Sequence, residues 1–183
     1  MPSIPITNGL VGYYDYKSLT HNAWLDYSTN KNDAIISGVM KNKKSYIEGT
    51  TSSAVLFPSV ITPPNYTLIH LCRYNGHKSE RILQAYDNNW LSGFHKAKTG
   101  VAYHDNNKWI TQDQQSNFAI NEWILSVDTA GTYRANKKNL SNGNKGVGPN
   151  RLSLNISRKN GSKENSDWNI VFVIAFNRTQ KNI

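Results

Sequence analysis

The sequence predicts an all-β protein, a sandwich or barrel of short strands. Three observations predict it. Apolar runs of strand length recur between turn residues along the whole chain. Aromatic residues reach 11% while the apolar fraction is only 38%, a mixture that suits half-buried strands better than a helical bundle. Asn occurs 24 times, and Asn favours turns because it tolerates left-handed backbone. The 183 residues fit one domain with a core of its own.

The strands are read in order. They are "GLVGYYDY", "AVLFPSV", "YTLIHLCRY", "RILQAY", "WLSGFH", "GVAYH", "KWIT", "EWILSVD", "TYRAN", "RLSLNIS" and "WNIVFVIAF". Short strands at this spacing indicate a sandwich or barrel. "EWILSVD" alternates, so Trp123, Leu125 and Val127 share a face. "WNIVFVIAF" is apolar on both faces and is expected to be central. Trp123, Phe172 and Ile174 are expected in the core on facing strands. Residues 128–131 and 136–139 read as hairpin turns. "NLSNGNKGVGPN" reads as an exposed loop. One short helical turn fits "SLTHNAWLDYS".

The formal charge is +9. Residues 1–91 hold 8 basic and 6 acidic residues, and residues 92–183 hold 13 and 6. Such a surface attracts anionic partners, including sulfated or sialylated glycans. Nucleic acid is not the expected partner, because no Arg-rich arm, zinc-finger spacing or aromatic nucleic-acid motif occurs. Cys72 is the sole cysteine, so an internal disulfide is excluded. The amino terminus lacks a signal-peptide pattern and no run is long enough to span a bilayer, so synthesis in the cytosol is expected.

Two stretches carry a family resemblance. "NGLVGYYDYKSL" and then "AWLDYSTNKNDAIISG" are similar to the opening of concanavalin A-like domains of the laminin-G type. "WNIVFVIAFNRT" resembles that family's last strand, which usually ends in Tyr-Asn-Arg. The block "YTLIHLCRYNG", "RILQAYDNNWLSGFH" and "GVAYHDNNKWIT" resembles a subgroup found in large DNA viruses of algae and protists. The resemblance covers nearly the whole chain. It implies a jelly roll of two antiparallel sheets. It also implies a virion or surface protein whose partners are glycans, glycoproteins, other copies or other virion proteins. The family usually continues past Asn-Arg with an acidic helical tail. This sequence stops at "TQKNI", so the tail is absent or the chain is part of a longer protein.

The stretch "NNWLSGFHKAKTGVAYHDNNKWIT" is the candidate ligand surface. Proteins hold sugars with aromatic faces and polar edges. Trp90, His95, Tyr103, His104, Asp105 and Asn107 supply that mixture. Three strands are expected side by side, with Ala102 and His104 on one face and Val101 and Tyr103 on the other. Taking Val101 as the core residue puts Tyr103 inward and His104 outward. Phe94 and Trp109 are read as core, and Trp90 as the stacking ring.

The turn "LDYSTNKND" raises a calcium site, since the equivalent turn of related domains often holds one. The matching positions are Asp26, Ser28, Asn30 and Asn32. The glycines of the family turn are missing, so a plain Asx turn is the favoured reading. No cofactor is required by any motif.

An enzyme is not expected. A glycosidase needs paired carboxyl groups across a cleft. The four Glu residues fall in no such strand motif. A polysaccharide lyase would use a Tyr or His base with an Arg, and only Tyr103, His104 and Arg81 hint at one. The expected function is a non-catalytic carbohydrate-recognition or attachment module. A capsid or fibre assembly module without glycan binding is the alternative.

Overall fold

The computed structural model describes residues 6–105, 108–112, 116–161 and 163–180. Strands hold 44% of residues and helix 4%, so the all-β expectation is met. Two eight-stranded antiparallel sheets form the sandwich.

The first sheet runs β14 (Lys138–Asn139), β13 (Tyr133–Ala135), β12 (Ile124–Thr129), β7 (Thr67–Tyr74), β16 (Trp168–Phe176), β5 (Ile47–Gly49) and β4 (Lys41–Asn42). Strand β1 (Leu10–Asp15) pairs with the second half of β16. The second sheet runs β11 (Lys108–Trp109), β10 (Lys98–His104), β9 (Leu91–His95), β8 (Leu83–Ala85), β15 (Leu152–Leu154), β6 (Ala54–Leu56), β3 (Ala34–Ser37) and β2 (Ala23–Trp24). The helical turn lies at Tyr16–Ser18, just ahead of the stretch that suggested it.

Strand β16 is central, as its two apolar faces require. Its inner face packs Ile170, Val173 and Ala175 into the core. The register breaks between Ile170 and Phe172, a bulge that reverses the alternation. Phe172 and Ile174 therefore point outward and are half-buried. This corrects the expected core placement.

Trp123 is corrected in the same way. It precedes β12 on the outer face, half-buried, with the Arg73 guanidinium 4.7 Å from its ring and Tyr46 5.7 Å away. The outer face carries two cross-strand rows, Leu125–Leu71–Phe172 and Val127–Ile69–Ile174.

Between the sheets, aromatic rings do much of the filling. Phe57 meets Tyr14 at 4.9 Å and Trp24 at 5.9 Å. Tyr74 meets Phe94 edge-on at 5.0 Å. All five are buried. Such edge-on pairs add about 0.5–1.5 kcal/mol beyond their area burial.

Both expected hairpin turns form, but shorter or shifted: Asp128 and Thr129 still belong to β12, and Lys138 and Asn139 form β14. Strands β12 and β13 join through Ala130 to Thr132, and β13 and β14 through Asn136 and Lys137. Asn136 and Lys137 both take positive φ, 44° and 68°, as a two-residue hairpin with native twist requires. The loop from Asn142 to Asn150 is not a free tip throughout, because Gly148 and Pro149 are buried. Gly148 lies against Tyr66, where a Cβ would come within 2.6 Å of the ring.

Candidate functional site

The meander β9–β10–β11 forms as the stretch predicts, with Tyr103 opposite Leu91 on one side and Trp109 on the other. The alternation is right and the faces are reversed. Ser92 meets His70 of the other sheet at 3.0 Å, and Phe94 meets Tyr74. These contacts turn the even-numbered residues of β9 inward. Trp90 and His104 follow them. Both are fully buried, so neither is exposed for a ligand as expected.

Trp90 and His104 belong to an internal polar network. Trp90 Nε1 donates to Tyr66 Oη at 3.2 Å, and Tyr66 Oη donates to Asp128 Oδ1 at 3.1 Å. His104 Nε2 lies 3.0 Å from the same Asp128 oxygen, in close contact but without hydrogen-bond alignment. The Trp90 and His104 rings stack with centroids 5.6 Å apart. Burial and the neighbouring Asp128 hold the Tyr66 hydroxyl well above its usual range, so it stays a donor. Trp90, Tyr66 and Asp128 thereby form a hydrogen-bonded chain inside the sandwich, with the His104 ring stacked against it.

The outward residues of the meander build a cleft of about 230 Å³. It is lined by Arg81, Asn89, Leu91, His95, Tyr103, Trp109 and Glu164, with Lys96 at the rim. The Tyr103 and Trp109 rings meet edge to face at 5.3 Å, and His95 tilts against Trp109 at 5.8 Å. Tyr103 and Trp109 are half-buried. Trp109 was read as core, and the structure places it in this cleft instead. The volume lies below the ~300–1,000 Å³ of enclosed small-molecule pockets. It is room for a small ring seated against a wall.

Arg81 is pinned in place. Its Nε forms an ion pair with Glu164 Oε2 at 2.9 Å, and its Nη1 donates to Asn89 Oδ1 at 2.9 Å. Backbone pairing locks the same residues, because Arg81 N donates to Glu164 O. Burial draws the Arg81 guanidinium down from its ordinary value, and Glu164 opposes that shift. Burial first, then the charges of Arg81, Lys96 and Lys98, push the His95 imidazole down to about 4. His95 is therefore neutral at neutral pH. Its buried Nδ1 finds no hydrogen-bond partner among the described residues.

Lys96 and Ala97 form the β9–β10 turn with φ 49° and 61°. Asn-Gly is the usual choice for such a turn. A non-glycine residue in the left-handed region costs about 1–2 kcal/mol. The sequence accepts that cost at the rim of the cleft.

The other expected site residues separate. His95 and Tyr103 line the cleft. Asp105 is half-buried and bridges to Val147 at the end of β10, outside the cleft lining. Asn107 lies outside the described residues. The sequence offers Arg81 only as the neutralising group of a lyase, and it singles out none of Asn89, Lys96 and Glu164 as a ligand residue. Glu164 gave no signal because its loop joins Arg81 across more than eighty residues of chain.

The candidate calcium turn is closed by protein donors. Asp26 Oδ1 accepts from the backbone N–H groups of Tyr13 at 2.7 Å and Ser28 at 2.8 Å. Its Oδ2 accepts from Ser28 Oγ at 2.7 Å and the Asn32 N–H at 2.9 Å. Asn30 and Asn32 turn their amides to the carbonyls of Leu10 and Val11. This is an Asx-type latch that ties the turn to β1. A cation would have to displace four donors from Asp26. Among the described residues no three His, Cys, Asp or Glu side chains gather as a metal site.

Two stacked antiparallel sheets in this arrangement define a β-sandwich of the jelly-roll kind. No family model matches the chain, and no curated protein sequence matches it. Solved structures do. A mutant of Trypanosoma rangeli sialidase with trans-sialidase activity superposes with a TM-score of 0.67 at 16% identity, over 98% of this chain and 32% of that one. Domain 4 of AbnA, an extracellular arabinanase of Geobacillus stearothermophilus, was solved with arabinotriose. It gives 0.62 at 11% identity over 93% of both chains. The receptor binding domain of a botulinum neurotoxin mosaic serotype C/D gives 0.59 at 11% identity, over 97% and 49%. The chain thus spans about a third of the sialidase and half of the toxin domain. At these identities the likeness is one of fold. It lends the viral subgroup no support.

Proposed function

We propose that the protein is a carbohydrate-recognition module and that the Tyr103–Trp109 cleft is its binding site. The observation that carries this reading is the cleft's composition. Two half-buried aromatic rings stand beside a neutral imidazole, a pinned guanidinium, an amide and a carboxylate. Sugar rings present apolar C–H faces and polar edges, and this wall offers a counterpart to each. The structural neighbours support the reading, since one is a domain described in complex with arabinotriose. Binding without chemistry, used for attachment to a glycan-bearing surface, is the role proposed. A virion is the setting that the sequence resemblance adds to the proposal.

A glycan array with the wild-type protein and Trp109→Ala tests this. Binding that disappears in a variant with an unchanged melting temperature supports the site. Binding that survives moves the site elsewhere.

One observation favours a second reading. Tyr103, His95 and Arg81 share the cleft, and that set resembles the base and acid-neutralising groups a polysaccharide lyase needs. Incubation with uronate polymers and a watch on ultraviolet absorbance decides it, since a lyase leaves an unsaturated product. Absorbance that stays flat argues for binding alone.

A further inference from the structure

The charges around the cleft are not balanced. Arg81, Lys96 and Lys98 all stand close enough to His95 to act on its imidazole. Glu164 is the one carboxylate among the described lining residues, and it is spent on Arg81. Glu80 lies nearby but pairs with Lys78 at 3.9 Å. Neither Lys96 nor Lys98 enters an ion pair among the described residues. Lys96 thus lines the cleft beside His95, and Lys98, its neighbour across the ladder, acts on the same imidazole.

Their placement is fixed by the backbone. Lys98 lies opposite His95 in the ladder. Lys96 sits in the left-handed turn, where Ala97 N donates to Ser79 O at 2.6 Å and ties the turn to the neighbouring loop. The Asn136–Lys137 hairpin has the same backbone, but there the first position is the favoured Asn. Strained backbone that the surroundings hold in place concentrates at ligand sites. The Nδ1 of His95, whose ring tilts against Trp109 at 5.8 Å, is buried without a hydrogen-bond partner among the described residues. An unmet polar atom of this kind is completed by a ligand hydroxyl or by water.

We propose that the cleft takes a saccharide bearing an acid group, with its ring on Trp109 and its carboxylate or sulfate at the Lys96–Lys98 end beside Arg81. This rests on the reading of the cleft as a saccharide site. Low-dielectric walls focus the field of the cations, so an acid group gains more here than on the open basic surface.

Calorimetric titration at low salt compares trigalacturonic acid with its methyl ester, and a heparin-derived tetrasaccharide with its desulfated form. The acid form of at least one pair is expected to bind about tenfold tighter or more, a difference well within reach of two charge contacts. The pair that responds tells carboxylate from sulfate. Lys96→Gln with Lys98→Gln should remove that preference, bringing the acid form to the affinity of its ester or desulfated partner. Lys137→Gln with Lys138→Gln, on the other sheet, should leave the preference intact. Equal binding of acid and neutral forms overturns the proposal and leaves the cleft as a saccharide site. So does a preference that survives the Lys96 and Lys98 changes. Binding of no saccharide at all, acidic or neutral, overturns both.

Discussion

The Trp90 indole lies 22° from parallel to the His104 imidazole, with the two ring centroids 5.6 Å apart in the sandwich interior. Trp90 also donates to Tyr66, which shares Asp128 with His104. Removing the indole would leave a cavity and strip Tyr66 of a donor. Trp90→Ala should cost about 3–5 kcal/mol, as large aromatic truncations in cores do. Denaturant melts measure it. A midpoint unchanged from wild type would place Trp90 at the surface.

Acid should destabilise the protein through two histidines. Burial pushes His70 down to about 3, and His95 is down at about 4. In the unfolded chain both titrate near 6.5. Their folded values are lower, so the unfolded state binds protons first as pH falls. Their contribution is complete above about pH 6.5 and is lost below it, by about 2 kcal/mol for the fully buried His70 on reaching pH 5 and by less for the cleft-lining His95. His95→Asn should flatten part of that slope. An unfolding midpoint that holds constant from pH 7 to 5 would contradict the assignment.

Calcium should not stabilise the fold. All four hydrogen bonds to Asp26 come from protein donors within 2.9 Å. Asp26→Ala should instead destabilise by about 2 kcal/mol or more, the loss expected for bonds to a charged acceptor. Thermal melts with excess calcium and with chelator give the answer. A rise in melting temperature with calcium would mean that the ion displaces the latch.

Trp123→Ala should be mild. The ring is half-buried, held by Arg73 and Tyr46 rather than by the opposite sheet. A loss of about 1–2 kcal/mol is expected from cation–π and edge contacts. A loss above about 3 kcal/mol would make it a core residue.

The fold was legible because alternation and turn chemistry are local. "EWILSVD" alternates as read, and Asn136 marks a left-handed turn. Which face looks inward is not local. Trp123, Leu125 and Val127 share a face, but Ser126 and Asp128 are the buried ones, because Tyr133 and Tyr66 meet them in the interior. A polar core reads as a surface. The same effect misplaced His104, whose partner Asp128 lies on the other sheet. Trp90 stands four residues before Phe94, so alternation sets both on one face, and both are buried. Val101 misled because it and Ala102 are both fully buried, so burial of Val101 does not set the phase. His95 and Tyr103 come together in one cleft because they sit on one face of a single meander. Short strands such as β4 and β14 were missed, since two residues carry no periodicity.

The central claim is that a saccharide seats on Trp109. The five tryptophans sit in distinct places: Trp24, Trp90 and Trp168 are fully buried, Trp123 lies on the outer face of the first sheet, and Trp109 is in the cleft. Their indole N–H resonances in a nitrogen-15 spectrum report each place separately. Titration with a saccharide chosen from the array should shift the Trp109 signal and leave those of Trp24, Trp123 and Trp168 in place. A shift of Trp123 with Trp109 unmoved would put the site on the opposite sheet and contradict the account.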